Sequence, residues 1–166
     1  MTTLVIQPTA ESGLARHAYQ EQDSRQTLGD GVEEYYRCNE GVVARPQSLP
    51  PESMALFRSH DICHVIFGLG TTLADETMAD IRTLLSCDVG WKRYALYLRT
   101  DAQAKALFKQ LGLLRAALAT LRTLPRIVRA IGEARRMTKK WPWTPPPVYL
   151  ARSLNELRRE YAIRVI

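Results

Sequence analysis

The apolar and polar positions of this chain recur at helical spacing over most of its length. From the proline-rich turn Arg45-Pro46-Gln47-Ser48-Leu49-Pro50-Pro51 the pattern predicts a helix to Phe67. Ser48 or Pro51 stands at its start, Glu52 in its first turn and Gly68 just past its end. Met54, Phe57, Asp61, His64 and Gly68 form one stripe along it. A second helix is expected from about Asp75 to Ser86, with Met78, Ile81, Leu84 and Leu85 turned inward. Beyond Ala102, Leu107, Leu111, Leu114, Leu118, Leu121, Val128 and Ile131 recur at three, four and seven, and Pro125 is expected to kink or restart that helix. Ser153 with Glu156 reads as a capping box opening a last helix to Tyr161. Asp30–Arg37 suits a short capped helix, Leu14–Thr27 a weak helix or loop, and Trp91–Leu98 either strand or helix. The expected fold is all-α, a single-domain helical bundle. Residues 1–48 form a partly irregular N-terminal segment and residues 49–166 the helical domain.

Chemistry concentrates at His60-Asp61-Ile62-Cys63-His64, which holds two of the chain's three histidines. Positions four apart on a helix differ by about 40° in azimuth and about 6 Å in height, so both imidazoles point the same way. Asp61 neighbours His64 on that surface. Gly68 and Gly70 break the helix, and Thr71 or Thr72 can cap a second one whose first turn carries Asp75 and Glu76. Such a helix-turn-helix hairpin brings Glu76 opposite the histidines. His60, Asp61, His64 and Glu76 then offer two nitrogens and one or two carboxylate oxygens to a divalent ion. The alternative is a chance pair on an amphipathic helix. The spacing also resembles the HExxH helix of zinc proteases, but Asp61 is one methylene shorter than that glutamate and no substrate-binding strand accompanies it.

The doublet HD-x-x-H, eleven residues and then Glu76, with Gly68-Leu69-Gly70-Thr71 between, resembles the Coq-four family of ubiquinone (coenzyme Q) biosynthesis proteins. Ser153-Leu154-Asn155-Glu156-Leu157-Arg158-Arg159-Glu160-Tyr161-Ala162-Ile163 is similar to that family's terminal helix, and Trp141-Pro142-Trp143 to its Pro-Trp stretch. The resemblance runs from about Met54 to Ile163, is stronger at its two ends, and favours helix over strand at Trp91–Leu98. The segment before the motif is shorter than in typical members, and Asp75 stands where a glycine is common. What the resemblance implies is metal-dependent oxidative decarboxylation of a polyprenyl benzoate-type quinone precursor, with His60, Asp61, His64 and Glu76 as metal ligands and catalytic residues. Zinc leads, and iron or manganese suits the same donors. It also implies a prenylated quinone precursor or other lipid as partner, other quinone-pathway proteins and a homodimer. A non-catalytic lipid-binding scaffold for those proteins is one alternative. A metal-dependent phosphohydrolase of the HD type is another; it would draw on His17 upstream and on Asp80, Asp88 or Asp101 downstream, and leave His64 and Glu76 without a role.

Charge adds an asymmetry. Residues 1–91 carry 6 basic and 13 acidic side chains, and residues 92–140 carry 13 basic and 2 acidic. The basic half is read first as a solvated face of a core helix and second as a contact with an anionic membrane surface. Nucleic acid is the weakest reading, since no recognition motif accompanies the charge. Trp141 and Trp143 either pack in the core or sit at a lipid interface beside Arg135, Arg136, Lys139 and Lys140. Cys38, Cys63 and Cys87 lack CxxC spacing and imply no disulfide framework. No signal peptide or membrane span is visible. The expected location is cytoplasmic, peripheral on the inner face of the cytoplasmic membrane if the basic face binds lipid.

Overall fold

A computed structural model describes residues 16–43, 45, 51–92, 94–95 and 123–166. The helices are α1 (Leu28–Cys38), α2 (Pro51–Phe67), α3 (Leu73–Ser86), α4 (123–136) and α5 (Leu154–Tyr161), with 3₁₀ turns at Ala18–Gln20 and Pro147–Ala151. The chain is all-α: among the described residues there is no strand, and the two bridges, Thr27 with Ser153 and Cys87 with Trp141, are isolated. Most of the leucine-periodic stretch, including Leu107 to Leu121, and the basic residues Lys105, Lys109, Arg115 and Arg122 lie outside the described residues, as do Asp101 and half of Trp91–Leu98, whose described residues, 91–92 and 94–95, are helical.

Hydroxyl caps begin three helices. Thr27 Oγ1 accepts from the Asp30 amide at 3.0 Å, Thr72 Oγ1 from the Asp75 amide at 3.2 Å, and Ser153 Oγ from the Glu156 amide at 3.2 Å. α1 buries Leu28, Gly31, Val32, Tyr35 and Tyr36, one stripe at helical period, and packs on α2. Gly31 is where the two backbones meet, since a Cβ there would lie 2.9 Å from Val65 Cγ1. Tyr19, in the first 3₁₀ turn, is fully buried in the same core as α2, Trp141 and α5.

α2 goes further than its sequence stripe suggests. Every residue from Ser59 to Leu69 is buried, so this half is a central helix without a solvent face. α1, α3 and the Ala18–Gln20 turn pack around it. Its end is closed by Gly68 at φ +70°, with the Leu69 amide on His64 O at 2.8 Å and the Gly68 amide on Val65 O at 3.1 Å. Arg158 of α5 reaches the same end and donates to Val65 O at 2.9 Å and Ile66 O at 3.0 Å. The same guanidinium donates to Tyr19 O at 2.6 Å and to Glu21 O. A side chain at residue 68 would suffer both a left-handed φ and a Cβ 2.7 Å from Val165 Cγ1. Gly68→Ala is therefore expected to cost about 2–5 kcal/mol, from about 1–2 of backbone strain and about 1–3 of overpacking. Urea unfolding checks this, and an unchanged midpoint would mean the turn relaxes freely.

α3 departs from expectation. Its interior face is Met78, Ala79, Arg82, Thr83 and Ser86, whereas Leu84 is 48% exposed and Ile81 and Leu85 are only partly covered. The buried stripe is largely polar, and Thr83 Oγ1 and Ser86 Oγ have no hydrogen-bond partner among the described residues. The Arg82 guanidinium lies 4.4 Å over the Phe67 ring, and Ser86 O accepts the Trp141 amide at 2.8 Å. Cys63 and Cys87 are buried thiols with Sγ atoms 3.7 Å apart. Trp141 and Trp143 are in the core, Trp141 against Tyr161 at 5.0 Å and Trp143 against Tyr94 at 6.0 Å, so packing and not a lipid interface accounts for both rings. Of the cations beside them, Arg136 pairs with Glu133, Lys139 with Glu160, and Lys140 donates to Leu85 O. Among the described residues no helix is long and apolar enough to cross a membrane.

Candidate metal centre

α2 and α3 form the expected hairpin, with Thr72 as the cap and Glu76 in the first turn of α3. His60, His64 and Glu76 come together, each offering one ligand atom, with all three atoms within 4.8 Å of one another. The helical register sets the two rings 4.7 Å apart. Gly70, in the turn, fixes one of them: its carbonyl lies 2.8 Å from His64 Nδ1. That bond selects the tautomer with hydrogen on Nδ1 and leaves Nε2 as the atom that could ligate an ion. His64 Nε2 is buried, has no hydrogen-bond partner, and faces Glu76 Oε2 at 3.5 Å. Tyr35 stacks on the same ring at 5.3 Å and holds its plane.

Asp61 stands apart from these three. It is buried, and its Oδ2 accepts the Tyr36 hydroxyl at 2.7 Å. Burial pushes its carboxyl up, and the neighbouring histidines and the Tyr36 hydroxyl only partly offset that. Its role here is a negative charge behind the histidines. Asp80, one turn beyond Glu76, lies with Oδ1 3.7 Å from His60 Nε2 and accepts the Tyr94 hydroxyl. Its spacing of four from Glu76 was a readable signal for a second carboxylate on that face. Tyr35, Tyr36 and the Gly70 carbonyl gave no such signal, because no local pattern fixes which helix lies against α2.

The electrostatics favour a cation. Burial opposes charge on His64, but the Glu76 carboxylate, Asp61 and the Gly70 carbonyl together push it up to about 9. Burial likewise raises Glu76, yet His64 holds it below the ordinary carboxylate range. Without a metal, then, the pair is a proton-bearing imidazole beside a carboxylate, and a divalent ion entering would replace that proton. Glu76 keeps 37% of its side chain open, which leaves one side of the cluster accessible. Asp75 faces elsewhere: it accepts the Thr72 hydroxyl at 2.8 Å and pairs with Arg126 of α4 at 2.8 Å, tying the start of α3 to the basic half. A groove of about 320 Å³, lined by Ala55, Ile62, Pro145 and Leu150 among others, lies by helical register on the side of α2 away from the imidazoles. Compared with known protein families, with curated proteins and with solved structures, the chain matches none.

Proposed function

We propose that this chain is a metal-dependent enzyme of quinone biosynthesis, holding one divalent ion at His60, His64 and Glu76 and decarboxylating a prenylated benzoate-type precursor. The observation that carries the metal is the convergence of the buried Nε2 of His64 with a second imidazole and the Glu76 carboxylate, one ligand atom from each within 4.8 Å of the others. The substrate class rests on the resemblance to the Coq-four family. Two imidazoles and a carboxylate suit zinc, iron(II) or manganese, and three protein ligands leave positions for substrate oxygen. A bound ion would supply Lewis acidity toward the carboxylate or phenolate of the ring. The chain's own residues do the rest: Gly70 and Tyr35 hold His64 in one orientation, Asp61 adds negative charge behind the imidazoles, and the open side of Glu76 admits the head group.

A phosphohydrolase of the HD type draws less support. His17 lies with Glu34 and Cys38 and is not part of the cluster around His60. The scaffold reading shares the metal and differs only in turnover. The test is release of labelled carbon dioxide from a ring-carboxyl-labelled prenylated hydroxybenzoate, under dioxygen, with tag-free protein loaded in turn with zinc, iron(II) and manganese. Release by the wild type and none by His60→Ala is the expected result. Tight precursor binding without release by any metal form would replace the enzyme with the scaffold.

A further inference from the structure

A second group of ligating side chains lies outside this centre. We propose that His17, Glu34 and Cys38 bind a thiophilic divalent cation of the zinc(II) type, pinning the Ala18–Gln20 turn to α1. One ligand atom from each of the three lies within 4.8 Å of the others. Glu34 and Cys38 stand four apart on α1 and so share a face. His17 arrives from the preceding turn and is held there: Glu34 Oε1 accepts the Ala18 amide and Oε2 the Tyr19 amide, each at 3.1 Å. Each oxygen keeps a second lone pair for an ion. The imidazole stacks on Tyr19 at 5.8 Å with planes 9° apart, and Tyr19 is itself fully buried.

The donors choose the ion. An imidazole, a thiolate and a carboxylate are the three-ligand set of an open zinc site, with water in the fourth position, and the thiolate disfavours magnesium and calcium. Cys38 is exposed, so an ion has a way in and water a place to stay. Thiolate and carboxylate together would neutralise a divalent charge. The site shares no residue with His60, His64 and Glu76, so neither reading depends on the other. Its effect would reach the core, because Tyr19 O and Glu21 O, just beyond His17, both accept from Arg158.

Cobalt(II) added to the full chain is the probe, because sulfur-to-cobalt charge transfer reports a thiolate ligand directly. Wild type and Glu76→Gln should both show that band, Cys38→Ser should lose it, and His17→Gln should need at least tenfold more cobalt. Equilibrium dialysis with zinc should find two ions in the wild type and one in Cys38→Ser. A band that survives Cys38→Ser would assign the thiolate to Cys63 or Cys87 and overturn the proposal. So would a single ion that is kept in Cys38→Ser and lost in Glu76→Gln. The opposite single ion, lost in Cys38→Ser and kept in Glu76→Gln, would uphold this site and remove the first.

Discussion

Arg158→Met is expected to lower stability by roughly 3–5 kcal/mol, enough to leave a marginal domain substantially unfolded. The guanidinium is 1% exposed and donates to four backbone carbonyls, those of Tyr19, Glu21, Val65 and Ile66. Methionine fills a similar volume but donates nothing. It strands acceptors in the core at about 1–3 kcal/mol for each one that water cannot reach. Among the described residues no carboxylate forms an ion pair with Arg158, burial pushes its guanidinium down to about 10 against a favourable pull from Asp23, and the four carbonyls are its direct contacts. Lysine should not rescue it, because one ammonium cannot reproduce a planar fork with donors on separate sides. Neighbouring Arg159 is 75% exposed, and Arg159→Met should cost less than about 0.5 kcal/mol. Urea midpoints measure both, and equal midpoints for the two variants would remove the clasp from the account.

In a Cys38→Ser background, where only the His60, His64 and Glu76 centre can take an ion, Glu76→Gln should abolish ion-linked stabilisation while leaving the fold in place. A ligand that binds only the folded state adds about 4 kcal/mol at a thousand times its Kd. In that background the chain with Glu76 intact, melted in zinc against chelator, should therefore gain several degrees, and Glu76→Gln nearly none. Asp61→Asn should retain most of the gain, since Asp61 is held by Tyr36 outside the three-residue cluster. If Asp61→Asn loses as much as Glu76→Gln, Asp61 is a ligand after all. In chelator the same pair has a pH signature. His64 is raised from about 6.5 to about 9, so its contribution is complete below 6.5 and is lost as pH rises through 9. Glu76 is lowered, so its contribution is present above the usual carboxylate range and is lost as pH falls through its own depressed value. The wild type should thus lose stability between pH 7 and 10 relative to Glu76→Gln; parallel curves would show that the pair carries no such linkage.

How far the site could be read from the chain follows from distance along it. His60, His64, Gly68, Thr72 and Glu76 lie within one hairpin, and caps, glycines and helical spacing fix such a unit locally. The approach of its two imidazoles to Glu76 was legible for that reason. Tyr36 on Asp61 and Arg158 on the end of α2 join residues 25 and 92 apart, and no local period encodes them. The inward face of α3 was misread for a related reason. Leucine spacing placed Leu84 inside, but the buried stripe is Arg82, Thr83 and Ser86, with the Arg82 guanidinium over Phe67 and the Ser86 carbonyl on the Trp141 amide, contacts that no local period encodes. For both tryptophans the neighbouring basic run left a lipid interface as the second reading, and the packing of Tyr94, Tyr149 and Tyr161 around them bears out the first, a place in the core.

The reach of Arg158 also sets an order of events during synthesis. The histidines and Glu76 leave the ribosome together, but the residue that seals Ile66 is made 92 residues later. At about 5–20 residues per second that is an interval of about 5–20 s. Throughout it Val65, Ile66 and Phe67, all buried in the finished protein, have no clasp over them. The end of α2 therefore emerges well before the side chain that closes it, and stays without that closure until α5 is made.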